Sequence, residues 1–161
     1  MLAADIVKLF KENHLTLGSI ESFTGGRFSA NITSVPGASA VFKGAIVTYA
    51  SEEKINLLAI PESVVSEYGV VSKEVAFLMA ERGMKVLNVD VCVSFTGNAG
   101  PTAMENKPVG ETYFAISYKN ITNVYKFDLS GLRQEIQEKA IEKAYLEIEK
   151  FLKKISVLAS K

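Results

Sequence analysis

The sequence has one cysteine, one histidine, no tryptophan and four prolines in 161 residues, and its 18 basic residues are matched by 18 acidic ones. A lone thiol, Cys92, forms no intramolecular disulfide, and its place in an apolar run fits a reducing cytoplasm. One histidine cannot build a multi-histidine metal site, and Cys92 lies too far along the chain to pair with it, so no metal is expected. A Ser-His-Asp triad would have to use His14, which closes the first helical pattern after Asn13; an imidazole beside exposed helix carbonyls is commonly without function. Zero net charge argues against a dedicated nucleic-acid binder, which needs a basic excess to meet phosphates. No apolar run approaches the roughly 20 residues of a membrane span, and Asp5, Lys8 and Lys11 make the start amphipathic, unlike a signal peptide. What remains is one globular domain over residues 1–161, long enough to bury a core without a disulfide or a structural metal.

Periodicity orders the chain. Leu2, Ile6, Leu9 and Phe10 have helical spacing; Leu15 to Glu21 reads as a strand that runs into the small-residue turn Ser22-Phe23-Thr24-Gly25-Gly26. A helix from Thr24 to Val35 follows, stopped by Pro36-Gly37. Ala45 to Ala50 reads as a second strand, and Ser51-Glu52-Glu53-Lys54 as the start of a short helix with Ser51 as its cap. Pro61 to Tyr68 and Ser72 to Leu87 are helical, Asp90 to Phe95 is a buried strand, and Glu111 to Tyr118 with Val124 to Leu129 form an antiparallel pair. The last helix covers Leu132 to Lys154; its apolar stripe packs on its own domain or on a second subunit. Strands alternating with helices early, and a strand pair late, imply an α/β fold with a mixed sheet covered on both faces.

Three polar, glycine-bearing segments fall at the carboxyl ends of these strands: Glu21 to Gly26, Tyr49 to Lys54, and Thr96 to Pro101. Ligands bind at such ends in open α/β sheets. Ser22, Thr24, Gly25 and Gly26 offer hydroxyls and backbone N–H groups for an anion or a polar amide, or simply make a tight turn. Ser39 in Pro36-Gly37-Ala38-Ser39 is either a capping hydroxyl or a nucleophile. Lys54 is either a surface lysine or, partly desolvated and near Tyr49, a base for such a nucleophile in chemistry that needs no histidine. Arg133, at the start of the last helix, suits a phosphate beside free amides as well as it suits solvent.

The ordered motifs Glu21-Ser-Phe-Thr-Gly-Gly26, Pro36-Gly-Ala-Ser39, Val47-Thr-Tyr-Ala-Ser51 with Glu53-Lys54, Gly69-Val-Val-Ser72, Thr96-Gly-Asn-Ala-Gly-Pro101 and Lys107-Pro-Val-Gly110 together resemble the CinA C-terminal domain family over nearly the whole chain. The resemblance implies a three-layer α/β/α sandwich with a mixed, mostly parallel sheet, assembled as a homodimer. It also implies hydrolysis of nicotinamide mononucleotide to nicotinate mononucleotide and ammonia, with no cofactor or metal. Carried over by position, Ser39 is the nucleophile, Lys54 its base and Tyr49 an aid to proton transfer. Ser22, Thr24, Gly25, Gly26, Thr96 and Gly97 then line the nucleotide pocket, and Arg133 faces the phosphate. The chain departs from the family at Phe23, Asn98, Glu111 and the segment Thr102 to Asn106, which bears on pocket shape and polarity. A nucleotide-binding domain without turnover, and an amidase for another small carboxamide, are the alternative functions.

Overall fold

The computed structural model describes residues 1–160. Helix α1 (Ala3–Glu12) leads to β1 (Leu17–Glu21), α2 (Arg27–Thr33), a 3-10 turn at Ala38–Ala40 and β2 (Phe42–Val47). Then come α3 (Ser51–Leu58), α4 (Glu62–Tyr68), α5 (Lys73–Leu87), β3 (Val91–Gly97), the hairpin of β4 (Glu111–Tyr118) and β5 (Ile121–Asp128), and α6 (Arg133–Ala159). The sheet has the order β2-β1-β3-β4-β5; β1 is parallel to both neighbours, and β4 is antiparallel to β3 and β5.

Burial explains this order. Every residue of β1 is buried, as a central strand covered on both faces must be, whereas β2 alternates between half-buried and exposed and forms one edge. On one face α1, α2 and α6 bury Ile6, Phe10, Phe28, Ile136, Ala144 and Ile148 against Leu17, Val93, Phe95 and Phe114. Phe28, Phe95 and Phe114 form a chain of tilted rings with centroids 5.2 Å apart at each step. On the other face α5 lays Val75, Met79 and Ala80 on Ile20, Cys92 and Ala115. Gly83 permits this approach: a Cβ there would stand 2.3 Å from Ile20 Cγ1. The three-layer α/β/α arrangement expected from the sequence is therefore the arrangement found.

Boundaries differ where local geometry overrides the pattern. The second strand is Phe42–Val47 rather than Ala45 to Ala50, because it is set by parallel pairing with Leu17–Glu21; Thr48 still bonds Glu21 O at 2.9 Å, and Tyr49 then leaves the sheet. Helix α2 starts at Arg27 rather than Thr24, because Gly25 and Gly26 take φ of 59° and 97° and cannot be helical there. Ser51 is the first helical residue of α3, not its cap; Ala50 holds that place without a side-chain bond. Ser72 does cap α5, its Oγ accepting from Val75 N. The last helix continues past Lys154, to Ala159.

Candidate active site

From β1 the chain passes to β2 on one side and returns to β3 on the other, so a crevice opens beyond the carboxyl ends of β1 and β3. Backbone bonds tie the three strand ends together: Ser22 N donates to Phe95 O at 2.9 Å, and Thr48 N donates to Glu21 O at 2.9 Å. The crevice is a cleft of about 350 Å³. Ser22 and Phe23 contribute from the end of β1, Tyr49 and Ser51 from the end of β2, and Thr96 to Thr102 from the end of β3, with Val70, Met104 and Arg133 completing it. A groove between α1, α2 and α6 is larger, about 440 Å³, and an apolar one beside α5 about as large, but neither holds a paired nucleophile and base.

Lys54, one turn into α3, points back under the strand ends. Only 1% of it is exposed; Nζ donates to Thr48 O at 2.7 Å and to Ser22 Oγ at 3.0 Å. Burial disfavours the ammonium and lowers its pKa to about 8, against which the negative charge of Glu105 raises it. At pH 7 about a tenth of such lysines are neutral, against well under a thousandth for a free lysine. Once neutral, the amine can accept the Ser22 Oγ–H across the same contact, and this is the activation a serine nucleophile needs.

The expected site residues separate into three groups. Ser22, Tyr49, Thr96, Gly97 and Arg133 meet at the cleft. Arg133 Nη1 donates to Gly100 O at 2.5 Å and Nη2 to Tyr49 Oη at 3.0 Å, so the guanidinium bridges two walls. Thr96 Oγ1 donates to Val70 O at 2.6 Å. Thr24, Gly25 and Gly26, expected to line the pocket, are not among the residues that border the cleft. Thr24 is fully buried and gives its hydroxyl to Glu21 Oε1 at 2.8 Å, and the two glycines make the turn into α2. Ser39 stands apart. It is exposed on the 3-10 turn before β2, whereas Lys54 lies beyond the other end of that strand, roughly 20 Å of extended chain away. The pairing of Ser39 with Lys54 is thus not made within the chain; the lysine meets Ser22 instead.

Glu21 was not anticipated. Its buried carboxylate accepts from Phe28 N at 2.9 Å, Ser29 N at 3.0 Å and the Thr24 hydroxyl, so two amides in the first turn of α2 and one of the hydroxyls expected to cradle an anion already have one. The one available signal was an acid at the end of a strand just before a glycine turn and a helix. Of the departures from the family, Phe23 and Asn98 border the cleft and Glu111 does not. Phe23 is buried in the core, its carbonyl accepting from Gln137 Nε2 at 2.8 Å. Asn98 is buried and braces its own loop, accepting from Gly100 N and donating to Lys107 O. Glu111 turns to Lys126 on β5 at 3.2 Å. His14 sits with Phe10, Leu15 and Thr16 before β1, at the far end of that strand. Among the described residues no group of three or more His, Cys, Asp or Glu could hold a metal ion, and no helix is long and apolar enough to cross a membrane.

The profile of the CinA C-terminal domain matches residues 1–152. The chain belongs to the CinA C-terminal domain family. Relatives named competence-damage inducible protein include one from Bacillus cereus, 39% identical over 92% of this chain and 36% of its own length. Another, from a Geobacillus species, is 44% identical over 81% of this chain and 32% of its own. The chain thus spans about a third of the length of these relatives. Among solved structures, a CinA superfamily protein from Klebsiella pneumoniae superposes with a TM-score of 0.91 at 20% identity, covering 93% of this chain and 94% of the other, which shows a common fold. The competence/damage inducible protein CihA from Agrobacterium tumefaciens superposes with a TM-score of 0.88 at 28% identity, covering 94% and 93%. In this CinA-type domain, Ser22 and Thr96 belong to the two motifs at the ends of β1 and β3, and the fold brings both residues to one cleft.

Proposed function

We propose that this domain is an amidohydrolase acting on nicotinamide mononucleotide, with Ser22 as nucleophile and Lys54 as its base. The observation that carries the reading is the 3.0 Å contact between Lys54 Nζ and Ser22 Oγ, at a lysine whose burial lowers its pKa to about 8, beside an open cleft. The family resemblance supplies the substrate class. Ser22 Oγ attacks the carboxamide carbon as Lys54 takes its proton; the tetrahedral intermediate collapses, and the proton returns to the departing nitrogen, which leaves as ammonia. Water, deprotonated by the same amine, then cleaves the acyl-enzyme to the carboxylate and restores Ser22. Arg133 uses two of its five N–H donors to join Gly100 and Tyr49, which leaves others to receive a phosphate. One chain makes the Ser22–Lys54 pair by itself, without a second copy.

The test is ammonia release from nicotinamide mononucleotide, with the product identified by mass, for the natural protein and for Ser22→Ala, Lys54→Met and Ser39→Ala. Release is expected to vanish in the first two and to persist in the third. Loss in Ser39→Ala with retention in Ser22→Ala would move the nucleophile to Ser39 and require a second copy to bring it to the lysine. No release from the natural protein, with the nucleotide still raising its melting temperature, would make the domain a nucleotide binder without turnover.

A further inference from the structure

The loop after β3 is held down by Glu105, which no family motif contains, and by Lys107, which opens the Lys107-Pro-Val-Gly110 motif; the catalytic pair uses neither. Glu105 Oε1 accepts from Val70 N at 2.8 Å and Oε2 from Val71 N at 3.1 Å, so one carboxylate spans two successive amides of the turn between α4 and α5. Lys107 Nζ closes the arrangement, donating to Tyr68 O at 2.7 Å, to Val71 O and to Glu105 Oε2 at 3.3 Å. Gly69 makes room for it, since a Cβ there would fall 2.4 Å from Glu105 Oε2. Val70 is the link to the site: it borders the cleft, and its carbonyl accepts the Thr96 hydroxyl. Thr102 and Met104, carried on the same loop, border the cleft as well.

We propose that Glu105 is a positioning and specificity-determining residue of this cleft. Its carboxylate clamps residues 102–106 onto Val70 and Val71, fixing the wall from which Met104 and Thr102 meet the base of a bound nucleotide and the strap that holds Thr96. This rests on the amidohydrolase reading for its substrate, not for its geometry. The thioether of Met104 is suited to the edge of a planar ring, so a loosened clamp weakens substrate capture before it touches the Ser22 chemistry. A second consequence is electrostatic. Glu105 pairs with Lys107 at 3.3 Å, and its negative charge also favours the Lys54 ammonium.

Three variants test this. Glu105→Ala and Gly69→Ala are expected to raise KM for nicotinamide mononucleotide about tenfold or more with kcat nearly kept, and to deprotect the Val70 and Val71 amides in hydrogen exchange. Glu105→Gln keeps one acceptor but turns its NH2 toward the Val71 amide, so KM is expected to rise less than in Glu105→Ala, while the acid limb of its kcat–pH profile moves to lower pH. An NMR titration of the Lys54 side chain, assigned by its disappearance in Lys54→Met, is expected to move the same way and does not depend on turnover. A clamp that is merely structural would lower the melting temperature and leave KM, the pH limb and the Lys54 titration where they were, and that result overturns the proposal. If the natural protein releases no ammonia, the function falls, whereas exchange at Val70 and Val71 and the Lys54 titration still decide the role of Glu105.

Discussion

Replacing Lys54 by methionine should stabilise the protein progressively less as pH rises, a trend that can be worked out before any assay of turnover. In the folded state the amine titrates near pH 8; in the unfolded chain it titrates near its ordinary value of 10.5. Below pH 8 both states carry the proton and folding bears the full cost of burying it. Between the two values the unfolded chain binds more proton than the folded one, so the stability of the natural protein rises with pH; above 10.5 neither carries it and the cost is gone. The gap converts to about 3 kcal/mol at roughly 1.36 kcal/mol per pKa unit. Methionine keeps most of the side-chain volume but removes the hydrogen bonds to Thr48 O and Ser22 Oγ, and the part of that loss that depends on the amine's charge is already contained in the pKa gap. The stability difference between the two proteins should therefore slide by about 3 kcal/mol between about pH 7 and pH 10.5, always in favour of the natural protein as pH rises. Urea unfolding of both proteins in half-unit pH steps measures it. A difference that stays flat across that window would show Lys54 titrating as a free lysine, and the basis for its role as a base would go with it.

Gly83→Ala places a methyl 2.3 Å from Ile20 Cγ1 and 2.9 Å from Cys92 Sγ. The gain of about 1 kcal/mol in helix propensity is outweighed by that overlap, and a net loss of about 1–2 kcal/mol in denaturant unfolding is expected, independent of pH. Glu21→Gln turns an NH2 group toward donors that now point at a carboxylate, so about 2 kcal/mol of stability should be lost together with turnover, because Ser22 is the next residue. Glu111→Thr should leave KM within error, since its carboxylate pairs with Lys126 and does not border the cleft. Arg133→Lys should raise KM for the mononucleotide about tenfold and leave the KM of the corresponding riboside unchanged; equal effects on both would remove the phosphate from its role.

The layers of this fold were legible because they rest on patterns that bury themselves. The alternation of strand and helix through residue 97, the apolar stripe from Ile136 to Phe151 and the hairpin of β4 and β5 follow from period and length alone. The misplaced ends are set by what a hydrophobic pattern does not contain: the strand that a segment pairs with, or the backbone turn that precedes it. Strand β2 is trimmed to match β1, and α2 waits until two glycines have turned the chain so that its first amides can reach Glu21. A local window registers Ile46-Val47-Thr48-Tyr49 as a β-rich run but does not register what pairs with it.

The site was legible as a set of places and not as a set of pairs. Which strand ends carry polar turns is a property of the sequence, and Ser22, Tyr49, Thr96 and Arg133 do meet. Which serine Lys54 touches depends on the direction of β2. A lysine that follows the strand is carried to its carboxyl end, and a serine that precedes it is left at the other. Parallel pairing with β1 then brings the carboxyl ends of β1 and β2 side by side, so the hydroxyl within reach is the one just after β1, Ser22. Given the parallel register, Lys54 can meet Ser22 within one chain and Ser39 only through another, so one substitution at each serine decides between a site built by the fold and a site built by assembly.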